Sequence, residues 1–138
     1  MDYVDKAEKA IQNLKEYDRG KIKLTVSQIR KFLTAVNLLR NKVDSYKFSV
    51  LKEEHKNPAE LSDELAMEIK FLRVNILYQV GREGRDKNGR PKAIGSFVEK
   101  SELVKYISDI GKDINKFYQF CKYMEALVAF HKFYGGKD

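Results

Sequence analysis

The segment 62–83 restricts the fold most strongly, because apolar side chains recur at helical spacing on two of its faces. A helix with one apolar stripe lies on a surface, whereas a helix with two is packed from both sides. We therefore predict a buried central helix in an all-α domain, and we expect Phe71→Ala to cost about 3–5 kcal/mol by leaving a cavity. The two stripes are Leu65, Ile69, Leu72, Ile76 and Val80, and Met67, Phe71, Val74 and Tyr78.

Apolar periodicity and capping signals predict further helices over residues 2–17, 25–54, 96–110 and 113–134. Thr25 with Gln28, and Ser96 with Glu99, have the spacing of a capping box. The last of these segments is apolar on two neighbouring faces, so we predict a second deeply buried helix. No stretch alternates as a strand. The prediction is one domain over residues 1–138, a bundle of about five helices with a basic loop after the central one.

That loop, residues 82–95, concentrates positive charge against only two acidic residues, Glu83 and Asp86. Asn88-Gly89 is a strong turn signal, and we expect a mobile surface loop. Arginine grips phosphate with two parallel hydrogen bonds, and glycine lets a backbone approach closely. A loop that is merely solvated is an equally good interpretation of this pattern. Its basic residues are Arg82, Arg85, Lys87, Arg90 and Lys92.

Composition narrows the class of partner. The 27 Lys and Arg against 20 Asp and Glu give a net charge of +7, which suits a nucleic-acid backbone or an acidic protein, although solubility alone would also account for it. No apolar run is long enough to span a bilayer. The first residues lack the basic segment followed by an apolar segment that is typical of a secretory signal peptide, so we expect an intracellular protein. The single Cys121 fits a reducing compartment.

Residues suited to catalysis are sparse. His55 lies in a polar run, and His131 is ten positions from Cys121, a spacing that does not direct both to one metal ion. Paired Cys and His motifs are absent, and the glycines after residue 80 lack the lysine and the preceding strand of a phosphate loop. We expect His131 to be half-buried and hydrogen-bonded at a helix end. The prediction is a protein that is not an enzyme and has no cofactor or metal.

Three segments taken together resemble a known family. They are residues 24–33 (LTVSQIRKFL), residues 71–83 (FLRVNILYQVGRE) and residues 123–136 (YMEALVAFHKFYGG). In order and over nearly the whole chain, they are similar to the small subunit of the type III-A CRISPR effector, the Csm complex. The loop after Gly-Arg-Glu is often shorter in that family, so residues 85–92 have no secure counterpart.

This resemblance implies a cytoplasmic, non-catalytic subunit of a ribonucleoprotein interference complex. Several copies would stack along the guide RNA and target RNA and hold the phosphate backbone without sequence specificity. The other partners would be the backbone and large subunits of the complex, which carry the cleavage activities, and no membrane would be involved.

The candidate RNA-binding residues come from three sources. The positions that match the family are Arg30, Lys31, Arg73 and Arg82. The exposed flanks of the second predicted helix add Arg40, Lys42 and Lys47, and the loop adds Arg85 and Arg90. The alternatives are a helical protein–protein adaptor with no nucleic-acid contact, and an unrecognised enzyme that retains a cofactor.

Overall fold

In the computed structural model, which describes residues 2–138, the chain forms six helices. They are α1 (Tyr3–Tyr17), α2 (Val26–Glu54), α3 (Asp63–Glu83), α4 (Ala93–Ser101), α5 (Leu103–Ile110) and α6 (Ile114–Phe133). Residues 2–138 contain no β-strand, only two isolated bridges. The all-α prediction is confirmed, with one helix more than expected. None of the six helices combines the length and apolar character needed to cross a membrane.

A local capping signal sets the start of α2 as predicted, and an aspartate caps α6. At the start of α2, Thr25 Oγ1 accepts a hydrogen bond from the Gln28 N–H at 3.1 Å, and Gln28 Oε1 accepts one from the Thr25 N–H at 2.9 Å. This reciprocal pair satisfies two N–H groups that have no partner inside the helix. At the start of α6, the Asp113 carboxylate accepts from the Lys116 N–H at 3.0 Å.

The additional helix arises where the sequence predicts one helix over residues 96–110. Glu102 adopts a left-handed conformation with φ of 54°, which separates α4 from α5. The capping box expected at Ser96 is wrong, because Ser96 is buried within α4. The cap comes instead from α3, where Glu83 Oε1 accepts hydrogen bonds from the N–H groups of Ile94 at 2.9 Å and Gly95 at 3.1 Å.

Helix α6 is deeply buried, as predicted, and it takes the central place in the bundle that was expected for the segment 62–83. It packs against α1, α2 and α5, and Phe117, Met124 and Leu127 on it are completely buried. The Tyr123 hydroxyl donates to the Ser101 carbonyl at 2.8 Å, which satisfies its one polar atom inside the core. A single cluster of buried apolar residues extends through all six helices.

Helix α3 differs from its prediction, because only the face that carries Leu65, Ile69, Leu72 and Ile76 is buried. Helices α2, α4 and α5 cover that face, and no described element lies across the opposite one. Phe71 is 57% exposed, so its removal leaves no buried cavity, and the large cost expected for Phe71→Ala is wrong. The outward residues, called here the apolar strip, are Met67, Phe71, Val74 and Tyr78.

Backbone hydrogen bonds tie the connections together at the two ends of the bundle. At one end, the Leu61 N–H donates to the Lys112 carbonyl at 2.7 Å, which joins the α2–α3 and α5–α6 connections. At the other end, the Tyr17 hydroxyl donates to the Pro91 carbonyl at 2.9 Å, and the Val26 N–H donates to the Lys137 carbonyl at 3.2 Å. The α1–α2 turn, the α3–α4 loop and the C-terminal tail therefore meet at this second end.

Candidate nucleic-acid interface

The α3–α4 loop, which the sequence predicts to be mobile, is closed by a bridge between Arg85 and Pro91. Asp86 Oδ1 accepts hydrogen bonds from the N–H groups of Asn88 at 2.8 Å and Arg90 at 2.9 Å. The bonds from Arg90 and Asn88 lower the pKa of the Asp86 carboxyl, because they favour its charged form. The Arg85 guanidinium donates to the Gly89 carbonyl at 2.9 Å, so the turn holds a defined shape.

This loop and the α1–α2 turn enclose a cavity of about 490 Å³. Arg19 and Lys23 line it from the turn, and Arg90 and Lys92 line it from the loop. The two segments are far apart in sequence, but the antiparallel path of α1, α2 and α3 brings them to one end of the bundle. The cavity is therefore lined by four cations that no single sequence motif contains, together with the carboxylates of Asp18, Glu83 and Asp86.

The positively charged end of the molecule is larger than this cavity. Arg30 and Lys31, in the second turn of α2, and Arg82, in the last turn of α3, lie near the same end and are exposed. We call the set the basic end. It consists of Arg19, Lys21, Lys23, Arg30, Lys31, Arg82, Arg85, Lys87, Arg90 and Lys92.

All ten of these side chains are exposed, and none forms an ion pair with a carboxylate of residues 2–138. The nearby carboxylates are engaged by the backbone instead. Glu83 caps α4, Asp86 closes its own loop, and Asp18 Oδ2 accepts from the Lys23 N–H at 2.9 Å. The positive charge at this end is thus available to a partner.

Four of the candidate cations lie elsewhere, on the flanks of the bundle. The Arg40 guanidinium is 2.7 Å from Glu125 on α6 and lies over the ring of Tyr118, which the Lys47 ammonium also approaches. These contacts join α2 to α6. Because the positive groups already have partners of the same chain, they are less available to an external phosphate.

Lys42 and Arg73 lie on other sides of the bundle. The Lys42 ammonium is 2.6 Å from Glu68 on α3, and this hydrogen bond raises the pKa of Lys42. The Arg73 guanidinium donates to the Ser108 hydroxyl of α5 at 3.0 Å, which uses one of its five N–H donors. The structure therefore does not bring the flank cations together with one another or with the basic end.

His131 of α6 connects to the α1–α2 turn through a hydrogen bond. Its Nε2–H donates to the Leu24 carbonyl at 2.7 Å, and the ring is 1% exposed, so the residue is more deeply buried than expected. Burial lowers its pKa. Gly136 packs on the same ring so closely that a Cβ there would stand 2.1 Å from His131 Cε1. This histidine therefore joins the tail of the chain to the turn that carries Arg19 and Lys23.

The Cys121 thiol is also buried. Burial raises the pKa of the Cys121 thiol to about 12. In the part of the chain that the structure describes, no three His, Cys, Asp or Glu side chains are grouped as a metal site would require.

Sequence reasoning missed Arg19, Lys21 and Lys23, because they belong to no motif and precede a helix with a strong start signal. Two signals were available in the sequence. Basic residues are dense between the first two predicted helices, and helices joined by short loops usually run antiparallel to their neighbours. Together these would have placed the turn beside the loop.

Comparisons with known proteins give a consistent result. Residues 1–137 match the family described as Csm2 Type III-A. The chain is 40% identical over 136 residues to the Streptococcus thermophilus protein named CRISPR system Cms protein Csm2, covering 99% of this chain and 93% of that protein. A protein of the same name from Mycobacterium tuberculosis is 31% identical over 137 residues, covering 99% and 94%. One from Enterococcus italicus is 32% identical over 113 residues, covering 80% and 68%.

Proposed function

Because the chain belongs to the Csm2 Type III-A family, the small subunit of the Csm complex, we propose that it binds the RNA phosphate backbone through its basic end. Several copies stack along the guide RNA and target RNA beside the backbone and large subunits. The proposal rests on one observation, which is that ten exposed cations at one end have no ion-pair partner within residues 2–138.

Unpaired surface cations suit phosphate for a definite reason. Each Lys or Arg that contacts a phosphate releases a condensed counterion, so several such contacts give affinity without any base reading. Arginine adds bidentate geometry. Among the candidate residues, Arg30, Lys31, Arg82, Arg85 and Arg90 make these contacts. Arg73 contributes less, and Arg40, Lys42 and Lys47 mainly hold neighbouring helices together.

Base recognition is not part of the proposal, because the aromatic rings that could stack on bases are mostly elsewhere. Phe117, Phe120 and Tyr123 of α6 belong to the buried core. At the basic end, the Tyr17 hydroxyl is held by the Pro91 carbonyl. Phosphate contacts position a protein on nucleic acid but carry no direct sequence information. Binding is therefore indifferent to base sequence.

Catalysis is likewise not assigned to this subunit. The groups with the right chemistry, His131 and Cys121, are both buried, and neither reaches the basic end surface. Cleavage is left to other subunits of the complex. We take residues 1–138 as one domain, since one apolar core extends through all six helices, and we place the protein in the cytoplasm with the RNA that it serves.

The alternative, a protein–protein adaptor without RNA contact, is supported by the apolar strip on α3, which is suited to contact with protein. A subunit of a larger complex needs such surfaces whether or not it touches RNA. The two functions therefore differ only in the role of the basic end.

The experiment is a fluorescence-anisotropy titration of the RNA-free protein with two unrelated single-stranded RNAs of equal length, at several salt concentrations. We expect the two affinities to agree within about twofold, and the affinity to fall steeply with salt, with a slope of about 0.7 per phosphate contact. A flat salt response favours the adaptor, and a strong preference for one RNA contradicts backbone binding. The RNA recovered afterwards should be intact.

A further inference from the structure

The outward face of α3 is unusual for a surface helix. Met67, Phe71, Val74 and Tyr78 are between 48% and 64% exposed, although they are large and apolar or aromatic. Contiguous patches of this kind on soluble proteins mark contact sites more often than neutral surface. The strip faces away from the core, so only a second molecule can cover it.

The order of the residues in the strip is symmetric. Met67 and Tyr78 lie equally far from a midpoint between residues 72 and 73, and so do Phe71 and Val74. A helix that packs against an antiparallel copy of itself at this midpoint therefore meets an apolar or aromatic side chain at each level. Met67 of one copy lies against Tyr78 of the other, and Phe71 against Val74.

The charges beside the strip follow this symmetry to within half a residue, since Glu64 and Arg82 have their midpoint at residue 73. Glu64 precedes the strip and Arg82 follows it, 18 residues later, which is about five turns at about 3.6 residues per turn. Both therefore lie on the same side of α3 as the strip. Neither forms an ion pair within residues 2–138. An antiparallel copy brings each Glu64 to an Arg82, whereas a parallel copy sets like charges together.

A hollow beside the strip offers room for a side chain of the second copy. It has a volume of about 570 Å³ and lies between α2 and α3, lined by Leu38, Met67 and Phe71 among others. Tyr78 of an antiparallel copy reaches the level of Met67 and so faces this hollow. Its ring is 64% exposed in the single chain, so it needs no rearrangement to do so.

We propose that two copies of this chain associate through α3, strip against antiparallel strip, about a two-fold axis that passes between residues 72 and 73. The contact is isologous, since the same surface of each copy is used, and it closes after two copies. It is distinct from any row of subunits along RNA, which needs two different surfaces. The pair forms without RNA and competes with RNA for Arg82, while Arg30 and Arg90 stay accessible to RNA.

The first test is sedimentation velocity on the full chain, without RNA, over a concentration series. We expect a monomer–dimer equilibrium that Phe71→Ser weakens about tenfold or more, because each dimer loses the ring twice. The matched control is Phe48→Ser, which removes a phenylalanine of α2 outside the strip that is 68% exposed, more than Phe71, and should leave the equilibrium unchanged. A wild-type protein that stays monomeric at about 1 mM, or equal effects of the two variants, overturns the proposal.

The second test addresses the antiparallel register through charge. Glu64→Arg and Arg82→Glu should each weaken the dimer, while the double variant, and an equimolar mixture of the two single variants, should restore it. Both positions are exposed, and circular dichroism verifies that each variant folds. Failure of the double variant to recover dimerisation contradicts the register. Association beyond two copies contradicts the closed, two-fold contact.

Discussion

The basic end and the flanks of the bundle carry the same kinds of side chain, but these side chains meet different partners. On the flanks, Arg40 pairs with Glu125, Lys42 pairs with Glu68, and Arg73 bonds Ser108. At the basic end, none of the ten exposed cations forms an ion pair with a carboxylate of residues 2–138. Formal charge is therefore a poor guide to available charge, which depends on where the nearest carboxylates are directed.

The reason for the difference lies in what each region must hold together. A flank helix has its own N–H groups satisfied, so its acidic side chains can turn to cations on the next helix. At the basic end, N–H groups of turns and helix starts need acceptors, and Glu83, Asp86 and Asp18 supply them. These carboxylates accept hydrogen bonds from the backbone, and the neighbouring cations form no ion pair with a carboxylate of residues 2–138.

The largest expected effect comes from removing two cations of the basic end together. Arg30→Ala combined with Arg90→Ala should weaken RNA binding on the order of a hundredfold, since each lost hydrogen bond to a charged group is worth about 1.5 kcal/mol or more. Anisotropy at one fixed salt concentration measures this, with circular dichroism as the control for folding. If this double variant loses no more RNA affinity than a double variant of two flank cations, the basic end and the flanks do not differ in RNA binding.

A flank cation should show the opposite behaviour. Arg40→Ala should lower the free energy of unfolding by about 1 kcal/mol, because it breaks the pair with Glu125 and the contact with the Tyr118 ring. Its effect on RNA affinity should stay within about twofold. Urea unfolding and anisotropy on the same preparation separate the two effects. An unchanged stability with a large loss of RNA binding would reassign Arg40 to the interface.

Arg73 tests the boundary between the two regions. Its side chain is half-buried, and one of its N–H donors bonds the Ser108 hydroxyl. The other donors remain available to a phosphate. Arg73→Ala should therefore weaken RNA binding only about threefold, below the loss of about 1.5 kcal/mol or more expected for a full phosphate contact. Lysine at this position is the matched control, since it keeps the charge. A loss as large as that of Arg90→Ala would extend the interface along α3.

The smallest expected effect is a dependence of the free energy of unfolding on pH, which comes from His131. Burial lowers the pKa of His131 below the unfolded value of about 6.5, so the unfolded chain binds more protons in the interval between them. Stability from this residue is complete above that unfolded value and is lost as the pH falls below it towards the lower pKa of the folded state. His131→Gln keeps a donor for the Leu24 carbonyl and should flatten the dependence. Urea midpoints across this range should differ in slope between the two proteins, and equal slopes would exclude the role of His131.

Local signals predicted local structure well. The capping residue Thr25 fixed where α2 begins, because the hydrogen bonds that matter there lie within four residues. The start of α4 was missed because its cap, Glu83, belongs to another helix. The break at Glu102 was missed because a left-handed glutamate carries no local sequence signal.

The two helices with two apolar stripes show the limit of periodicity. Both patterns indicate a helix that is covered on two sides, but the cover of α6 comes from its own chain, while the outer face of α3 has none among residues 2–138. Phe117 and Phe71 are equally apolar in sequence, yet one is completely buried and the other is 57% exposed. Likewise, only the packing of α1 against the α3–α4 loop reveals that Arg19 and Arg90 share one cavity.

The most direct test of RNA binding by the basic end is the salt dependence of affinity in three proteins. These are the wild type, the pair Arg30→Ala with Arg90→Ala, and the flank pair Arg40→Ala with Lys42→Ala. Two lost phosphate contacts should reduce the slope of log affinity against log salt by about 1.4, at about 0.7 per contact for single-stranded RNA, in the first pair only. The flank pair should keep the wild-type slope. Equal slopes in all three proteins would show that the phosphates are held somewhere other than at the basic end.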